Sequence, residues 1–216
     1  MDYAFHIYNK LAKSGLSLAA DRLLQAKKIC KKSETTGADT RLNGFSTPSD
    51  EALAQADRPP VVVCVGSDLA IGDCLGPITG SMLEYKTRGL GAFLYGTLAA
   101  PVTAKEIPYM RTFLKETHGN SQILAIDAAV GEKGDVGLIR ILDSPLLPGA
   151  GANKNLGAIG DASIMGIVAE KSLHNYGLLN TTRLNLVYTM AEIISESVAT
   201  LLWERCNSAK NPKKQA

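Results

Sequence analysis

The sequence predicts an α/β fold whose sheet is mostly parallel and is covered by helices on both faces. After Pro59, five short apolar segments alternate with longer segments of helical periodicity, and such alternation is typical of a parallel sheet. The first and third of these segments contain almost no polar residues, as expected for strands buried on both faces. The link Gly131–Gly134 is too short for a parallel crossover, so we expect one strand to run antiparallel.

The predicted strands can be placed in order along the chain. Val61–Val65 is a β-branched run, interrupted only by Cys64, that ends at Gly66. Gly131–Gly134 provides the turn residues that separate the third strand from the fourth. The other four strands are predicted at Ala92–Tyr95, Gln122–Ala128, Val136–Leu142 and Ile164–Ala169.

Three helices are predicted after Pro59, at Leu75–Thr87, Thr103–Thr117 and Thr181–Cys206. In the second of these, Thr103 and Glu106 have the spacing of a capping box. Pro108 falls within its first turns, so we expect the helix to start later or to kink there. The third is the longest and is amphipathic, with one apolar face formed by Leu184, Val187, Met190, Ala191, Ile194, Val198 and Leu201.

The chain divides near Pro59 into an extension and one domain. Residues 1–58 form an N-terminal extension and linker, partly helical, in which Ser33–Asp57 is rich in small and polar residues. We expect this extension to be loosely attached. Residues 59–206 form the α/β domain, and residues 207–216 form a basic C-terminal tail.

Composition predicts a soluble cytoplasmic protein. The 216 residues fit one domain, and no apolar stretch suggests a membrane span. The N-terminus lacks the layout of a signal peptide. The four cysteines are scattered without a C-x-x-C pair, which favours free thiols. The lysine clusters near the two ends have no interleaved aromatic residues, which argues against nucleic-acid binding. A homo-oligomer is compatible with the sequence.

Two aspartates mark the ends of predicted neighbouring strands. Asp73 follows the first strand in a glycine-bearing loop, and Asp127 interrupts the third strand near its carboxyl end. Ligands of open α/β sheets bind beyond the carboxyl ends of the strands. If the two strands are neighbours, the carboxyls face one crevice, where one keeps its proton while the other accepts one. Such a pair suits the activation of water against a carbonyl group.

Each of these acids also has a structural alternative. Asp73 is equally well explained as the N-cap of the following helix. Asp127 could satisfy backbone donors of a neighbouring loop, although burial in mid-strand favours a functional role. Asp68, in the same loop as Asp73, is a candidate for substrate binding, with a turn-stabilising role as its alternative.

The motifs around these acids resemble those of the YyaC-type sporulation proteins. The matching segments are Val63–Asp68 with Gly72–Pro77, then Ile126–Ala128, and then Pro148–Lys154, within an ordered series from Pro60 to Ala199. The chain is more distantly similar to the germination protease of spore-forming bacteria. Both groups share the Asp-x-Leu-Gly-Pro string that begins at Asp73.

The resemblance implies a fold and an activity. The fold is a three-layer α/β/α sandwich, shared with the hydrogenase-maturation proteases, with a five-stranded sheet and one antiparallel edge strand. The germination protease is an aspartic-type endopeptidase, and its catalytic aspartates correspond by motif to Asp73 and Asp127. We therefore expect a hydrolase of a sporulating cell or spore that cleaves a spore protein, with small acid-soluble spore proteins as candidate substrates.

The resemblance also bears on cofactors. Hydrogenase-maturation proteases use carboxylates and a histidine to recognise nickel, whereas His6, His118 and His174 lie in no matching motif. We therefore expect neither a metal nor a cofactor, while a hard cation bound by oxygen ligands stays open. His118 follows a predicted helix and is expected at the surface.

The glycine-rich loop between the last two predicted strands is a candidate binding loop. It is long for a connection, and its backbone amides, assisted by Lys154, could hold a peptide carbonyl or an anion. The candidate residues are Gly149, Gly151, Asn153 and Lys154; an inert surface loop is the alternative. A non-catalytic protein that binds a peptide or partner in the same crevice is the alternative to a peptidase.

Overall fold

The computed structural model describes residues 2–36, 59–149, 156–171 and 182–210. Within these ranges the chain forms six strands and four helices. All five predicted strands and all three helices predicted after Pro59 are present, with ends shifted by a few residues. The strands are β1 (Tyr3–His6), β2 (Val61–Cys64), β3 (Leu94–Tyr95), β4 (Ile123–Gly131), β5 (Leu138–Leu142) and β6 (Ala162–Glu170); the helices are α1 (Ala12–Thr36), α2 (Leu75–Lys86), α3 (Ile107–Thr117) and α4 (Leu184–Lys210).

The strands form one sheet in the order β1-β5-β6-β4-β2-β3. Strands β3, β2, β4 and β6 pair in parallel, and β5 runs antiparallel to β6. The short link after β4 therefore does reverse the chain, as predicted, but β6 lies between β4 and β5. The mostly parallel sheet is confirmed.

The edge of the sheet differs from the prediction. The sheet has six strands instead of five, because β1 from the N-terminal extension pairs antiparallel with β5. The antiparallel strand β5 is consequently not an edge strand. An uncovered β5 would present unpaired backbone groups to other chains, and β1 occupies that position. With only Tyr3–His6 in the strand, its alternation was too short to distinguish from a helix.

The sheet is packed on both faces, which makes three layers. Helices α1, α2 and α4 lie on one face, where Leu16, Leu75 and Met190 pack against Ile126 and Ile164. Helix α3 covers the other face through Ile107, Met110 and Leu114, which pack against Val61, Val63, Val65 and Ala125. Alternate residues of β2 and β4 therefore face opposite layers.

Helix α1 is part of the core, so the expected loose attachment is wrong. Leu16 and Leu24 are completely buried. Arg205 of α4 donates from Nε to Asp21 Oδ1 at 2.9 Å and from Nη1 to Gln122 Oε1 at 2.9 Å. These bonds join α1, α4 and the start of β4. The sequence signal was weak because Ser14 and Gly15 interrupt the helical pattern.

Helix α4 is both long and markedly apolar. It contains a window long and apolar enough to cross a membrane, contrary to the expectation from the sequence, yet 61% of that window is buried inside the fold. Val187, Met190 and Ile194 are among its fully buried side chains. This burial is that of a core helix in a soluble α/β domain.

Candidate functional site

The sheet brings Asp73 and Asp127 to the same edge. Strands β2 and β4 are parallel neighbours, and their last paired residues are Cys64 and Ile126. Asp127 is the next residue of β4, and Asp73 lies in a 3₁₀ turn, Gly72–Cys74, that follows β2. The strand adjacency on which the predicted pair depends is therefore present, at the carboxyl edge where α/β proteins bind ligands.

Two glycines allow the Asp73 turn to fold closely over the end of β2. Gly66 has φ +143°, and a Cβ atom there would lie 2.2 Å from the carbonyl oxygen of Asp73. A Cβ atom on Gly76 would lie 1.9 Å from the carbonyl oxygen of Val65. The Ser67 N–H donates to the Asp73 carbonyl at 3.2 Å. The backbone approaches so closely that neither glycine has room for a side chain.

Asp127 lies on the α3 face of the sheet. Side chains alternate along a strand, so Asp127 shares the face of Ala125, which packs in the α3 cluster. Its register partner on β6, Met165, belongs to the same cluster. The Ala128 N–H donates to Asp127 Oδ1 at 2.8 Å. The carboxyl is half-buried and is held by its own strand.

Burial and mutual repulsion govern the charges of the two carboxyls. Burial raises the pKa of Asp127 well above its ordinary value, and the nearby Asp73 charge raises it further, while the Ala128 N–H acts in the opposite direction. Burial also raises the pKa of Asp73, against a hydrogen bond from the Ser67 backbone that lowers it. Two such groups titrate as a pair. Of the two carboxyls, Asp127 is the one whose pKa is raised by both burial and the neighbouring charge, so its neutral form is the more strongly favoured.

Neither structural alternative accounts for the two acids. The N-cap of α2 is Cys74, which makes no side-chain capping bond, so Asp73 does not cap this helix. The described bond to Asp127 comes from Ala128, the next residue of the same strand, and not from a neighbouring loop. The two capping roles are therefore not seen in the described residues, and a functional role of Asp73 and Asp127 stays a prediction.

Asp68 lies in the same loop as Asp73 and is exposed to solvent. Burial raises the pKa of the Cys74 thiol, and the charges of Asp68 and Asp73 add to this effect, so Asp68 is close to the site. The turn is stabilised by Ser67, whose Oγ accepts from the Leu69 N–H at 3.1 Å. A substrate-binding role for Asp68 stays a prediction.

The candidate binding loop is only partly described. Leu146 and Ile159 form a bridge between its two ends, at the amino-terminal edge of β4 and β6. Gly149 follows that bridge, and the described residues give it no contact with Asp73 or Asp127. The remaining candidates, Gly151, Asn153 and Lys154, lie outside the described residues.

The nucleophilic side chains near the pair form hydrogen bonds within their own loop. Ser67 Oγ accepts the Leu69 N–H, and Cys74 Sγ–H donates to the Ala70 carbonyl at 3.2 Å. His118 lies far along the chain and shares a 2.7 Å hydrogen bond with the Tyr95 hydroxyl. Its predicted surface position is wrong, because it packs against Phe93 and Phe113 and is only 8% exposed.

Apolar residues beside the acids were missed from the sequence. Leu69 is 90% exposed and Ile71 37% exposed, both in the loop that carries Asp73. An apolar residue in a glycine-bearing loop was the available signal. Their exposure next to a carboxyl pair provides contact area for an apolar group of a ligand.

The other chemical features of the surface lie away from the pair. In the described part of the chain, no group of three or more His, Cys, Asp or Glu side chains is arranged to hold a metal ion. One surface groove lies between α2 and α4, beside Lys86 and Trp203. A second lies at the amino-terminal edge, beside Arg111 and His118. Neither groove includes Asp73 or Asp127.

Comparisons with known proteins define the family. Residues 41–197 match the family described as "Protein of unknown function (DUF1256)". The chain is 41% identical over 145 residues to the "Uncharacterized protein YyaC" of Bacillus subtilis (strain 168). The aligned residues cover 67% of this chain and 70% of that protein. No solved structure matches the chain. The matched span contains both aspartates and the strands that carry them, and the chain belongs to the DUF1256 family, as a YyaC-type protein.

Proposed function

We propose that the chain is a peptidase in which Asp73 and Asp127 jointly activate a water molecule. The supporting observation is the placement of the pair, with Asp73 in the turn after β2 and the half-buried Asp127 on the neighbouring strand β4, where the charge of Asp73 raises the pKa of Asp127. Two carboxyls that differ in protonation supply an acid and a base in one place. This is the chemistry that hydrolysis of an amide requires.

The two acids take different roles in the proposed reaction. Asp73, ionised, accepts a proton from the water as its oxygen attacks the carbonyl carbon of the peptide. Asp127, protonated, donates its proton to the carbonyl oxygen. Collapse of the tetrahedral intermediate breaks the C–N bond, and the proton on Asp73 passes to the leaving nitrogen. The proton from the carbonyl oxygen returns to Asp127, which restores the starting protonation.

The proposed substrate is a protein made during sporulation, and the proposed location is the cytoplasm of a sporulating cell or spore. The soluble α/β domain is compatible with that compartment. Small acid-soluble spore proteins are the candidate substrates that the motif resemblance to the germination protease suggests. Leu69 and Ile71 supply apolar contact area for a peptide beside the acids.

The test is the loss of cleavage in Asp127→Asn. A synthetic peptide library and purified small acid-soluble spore proteins are incubated with each variant, and products are identified by mass spectrometry. We expect Asp127→Asn to lower the cleavage rate by about 100-fold or more, since general acid–base catalysis contributes about 10²–10⁴-fold. Circular dichroism should show an unchanged fold.

Glu132→Gln is the matched control, because Glu132 is an exposed acid in the turn after β4. It should cleave at the wild-type rate. Cleavage by Asp127→Asn at the wild-type rate would show that the acid pair is not the catalyst.

A non-catalytic binding protein is the second candidate. Its contact surface would include the exposed side chains of Leu69 and Ile71, in the loop that carries Asp73. Capture of a stable complex from sporulating cells, with the bound partner of full length, would favour binding over hydrolysis.

A further inference from the structure

Arg140 lies in the same cross-strand row as Asp127. Arg140 on β5 is paired with Met165 on β6, and Met165 is paired with Asp127 on β4. Residues paired across neighbouring strands point to the same face of a sheet. Because neighbouring strands are about 4.8 Å apart, Arg140 lies about 10 Å from Asp127 at the backbone.

The guanidinium of Arg140 is directed toward the edge that carries the acid pair. Its Nη2 donates to Asp135 Oδ2 at 2.7 Å, and Asp135 lies in the 3₁₀ turn Lys133–Asp135 that follows β4. The Arg140 side chain is 42% exposed. A guanidinium has five N–H donors, and the bond to Asp135 is the one that the described residues show, so donors are left for a ligand.

The surface between Asp127 and Arg140 is suited to an extended chain. Its middle is the half-buried side chain of Met165, which packs at the margin of the α3 cluster. The α3 side chains in that cluster pack against β2 and β4. Arg140 lies outside the cluster, on β5. An acid, an apolar side chain and an arginine thus follow one another across three strands.

We propose that Arg140 is a specificity residue that binds an acidic side chain of the substrate, about three residues from the bond that is cut. The inference rests on the proposed peptidase function. An extended peptide advances about 3.3 Å per residue, so about 10 Å corresponds to three residues. The planar guanidinium matches a carboxylate in a two-bond arrangement, which a point charge cannot provide.

The other cations at this edge do not share that geometry. Lys133 lies in the turn and Lys171 follows β6, and both are exposed to solvent. Neither lysine lies in the cross-strand row of Asp127, whereas Arg140 does. Lys133→Gln removes a neighbouring positive charge and is the matched control for Arg140→Gln.

The test uses a synthetic library of randomised octapeptides with the full-length wild type, Arg140→Gln and Lys133→Gln. Peptides that are cut, and uncut peptides that stay bound to the protein, are sequenced by mass spectrometry. We expect peptides cut by the wild type to be enriched about tenfold in Asp or Glu at one position about three residues from the cut, the effect of one charged hydrogen bond. Arg140→Gln should abolish the enrichment and still cut, and Lys133→Gln should keep it.

The outcomes separate this inference from the peptidase proposal. Cutting without acidic enrichment, or with enrichment that survives Arg140→Gln, overturns the role of Arg140 and leaves the peptidase intact. If no peptide is cut, the peptidase proposal is refuted. The anion subsite is then still supported if the peptides bound by the wild type are enriched in Asp or Glu and those bound by Arg140→Gln are not. Absence of both cutting and acid-dependent retention overturns both.

Discussion

The carboxyl of Asp127 is the most perturbed acid of the candidate site. It lies in a strand whose preceding residues, Leu124, Ala125 and Ile126, are completely buried. Burial penalises its charged form, and the Asp73 charge adds to that penalty. A charged Asp127 is therefore destabilising in the folded state.

Asp127 should make the folded state less stable as pH rises. Its folded pKa is raised above the ordinary 3.8, so above pH 4 the folded chain binds more protons than the unfolded chain at this residue. Stability then falls with rising pH until the folded pKa is passed. Asp127→Asn removes this loss. Its free energy of unfolding should match that of the wild type near pH 4 and exceed it above pH 4, by at most about 1.4 kcal/mol per pH unit, until the folded pKa of Asp127 is passed and the difference becomes constant.

Urea unfolding at pH 4, 5, 6, 7 and 8 measures this difference. Glu132→Gln, which changes an exposed acid, should follow the wild type throughout. A wild-type curve parallel to that of Asp127→Asn over the whole range would show that the pKa of Asp127 is not raised.

Single polar residues were predictable where they break an apolar pattern. Asp127 was selected as a candidate because a carboxyl in a buried strand is costly unless it is paired or neutralised. Arg140 likewise breaks the apolar pattern of Leu138–Leu142, but its relation to Asp127 depends on the strand order and could not be predicted from the sequence. His118 was misplaced because its burial comes from aromatic neighbours distant in sequence, Phe93 and Tyr95.

The turn between β2 and α2 is the element that positions Asp73. Gly76 should be intolerant of substitution, because a Cβ there would lie 1.9 Å from the Val65 carbonyl oxygen, a backbone atom that cannot move alone. We expect Gly76→Ala to lower the free energy of unfolding by about 2 kcal/mol or more, as overpacking does. Urea unfolding measures the change.

Gly134→Ala is the control for this substitution, since no atom lies within 4 Å of its added Cβ. It should change stability by less than about 0.5 kcal/mol. Equal stability of Gly76→Ala and Gly134→Ala would contradict the close approach of α2 to the end of β2.

Helix α1 is the element whose role differs most from the expectation. Leu16 is completely buried, whereas Leu18, on the opposite side of the same helix, is 59% exposed. If α1 is part of the core, Leu16→Ala should lower the free energy of unfolding by about 2–5 kcal/mol, and Leu18→Ala by less than about 0.5 kcal/mol. Thermal or urea unfolding of both variants provides the comparison; a small loss for Leu16→Ala would indicate a dispensable extension.

The strand order of the sheet brings the two acids of the candidate site together. The order β6-β4-β2 places Asp127 next to the end of β2, and the turn after β2 places Asp73 above it. The alternation of strands and helices predicted this adjacency, because doubly wound sheets favour neighbours at their centre. The sixth strand could not be predicted, since the pairing of Tyr3–His6 with Leu138–Leu142 depends on contacts between segments far apart in sequence.

Carbon-detected NMR titration of the side-chain carboxyls would show whether Asp73 and Asp127 titrate together in a partly dry site. In the wild type, Asp127 should titrate well above its ordinary pKa. In Asp73→Asn its pKa should move back toward the ordinary value, because one of the causes that raise it is removed. An ordinary pKa for Asp127 in the wild type, or a raised pKa that Asp73→Asn leaves unchanged, would show that the two carboxyls are not coupled.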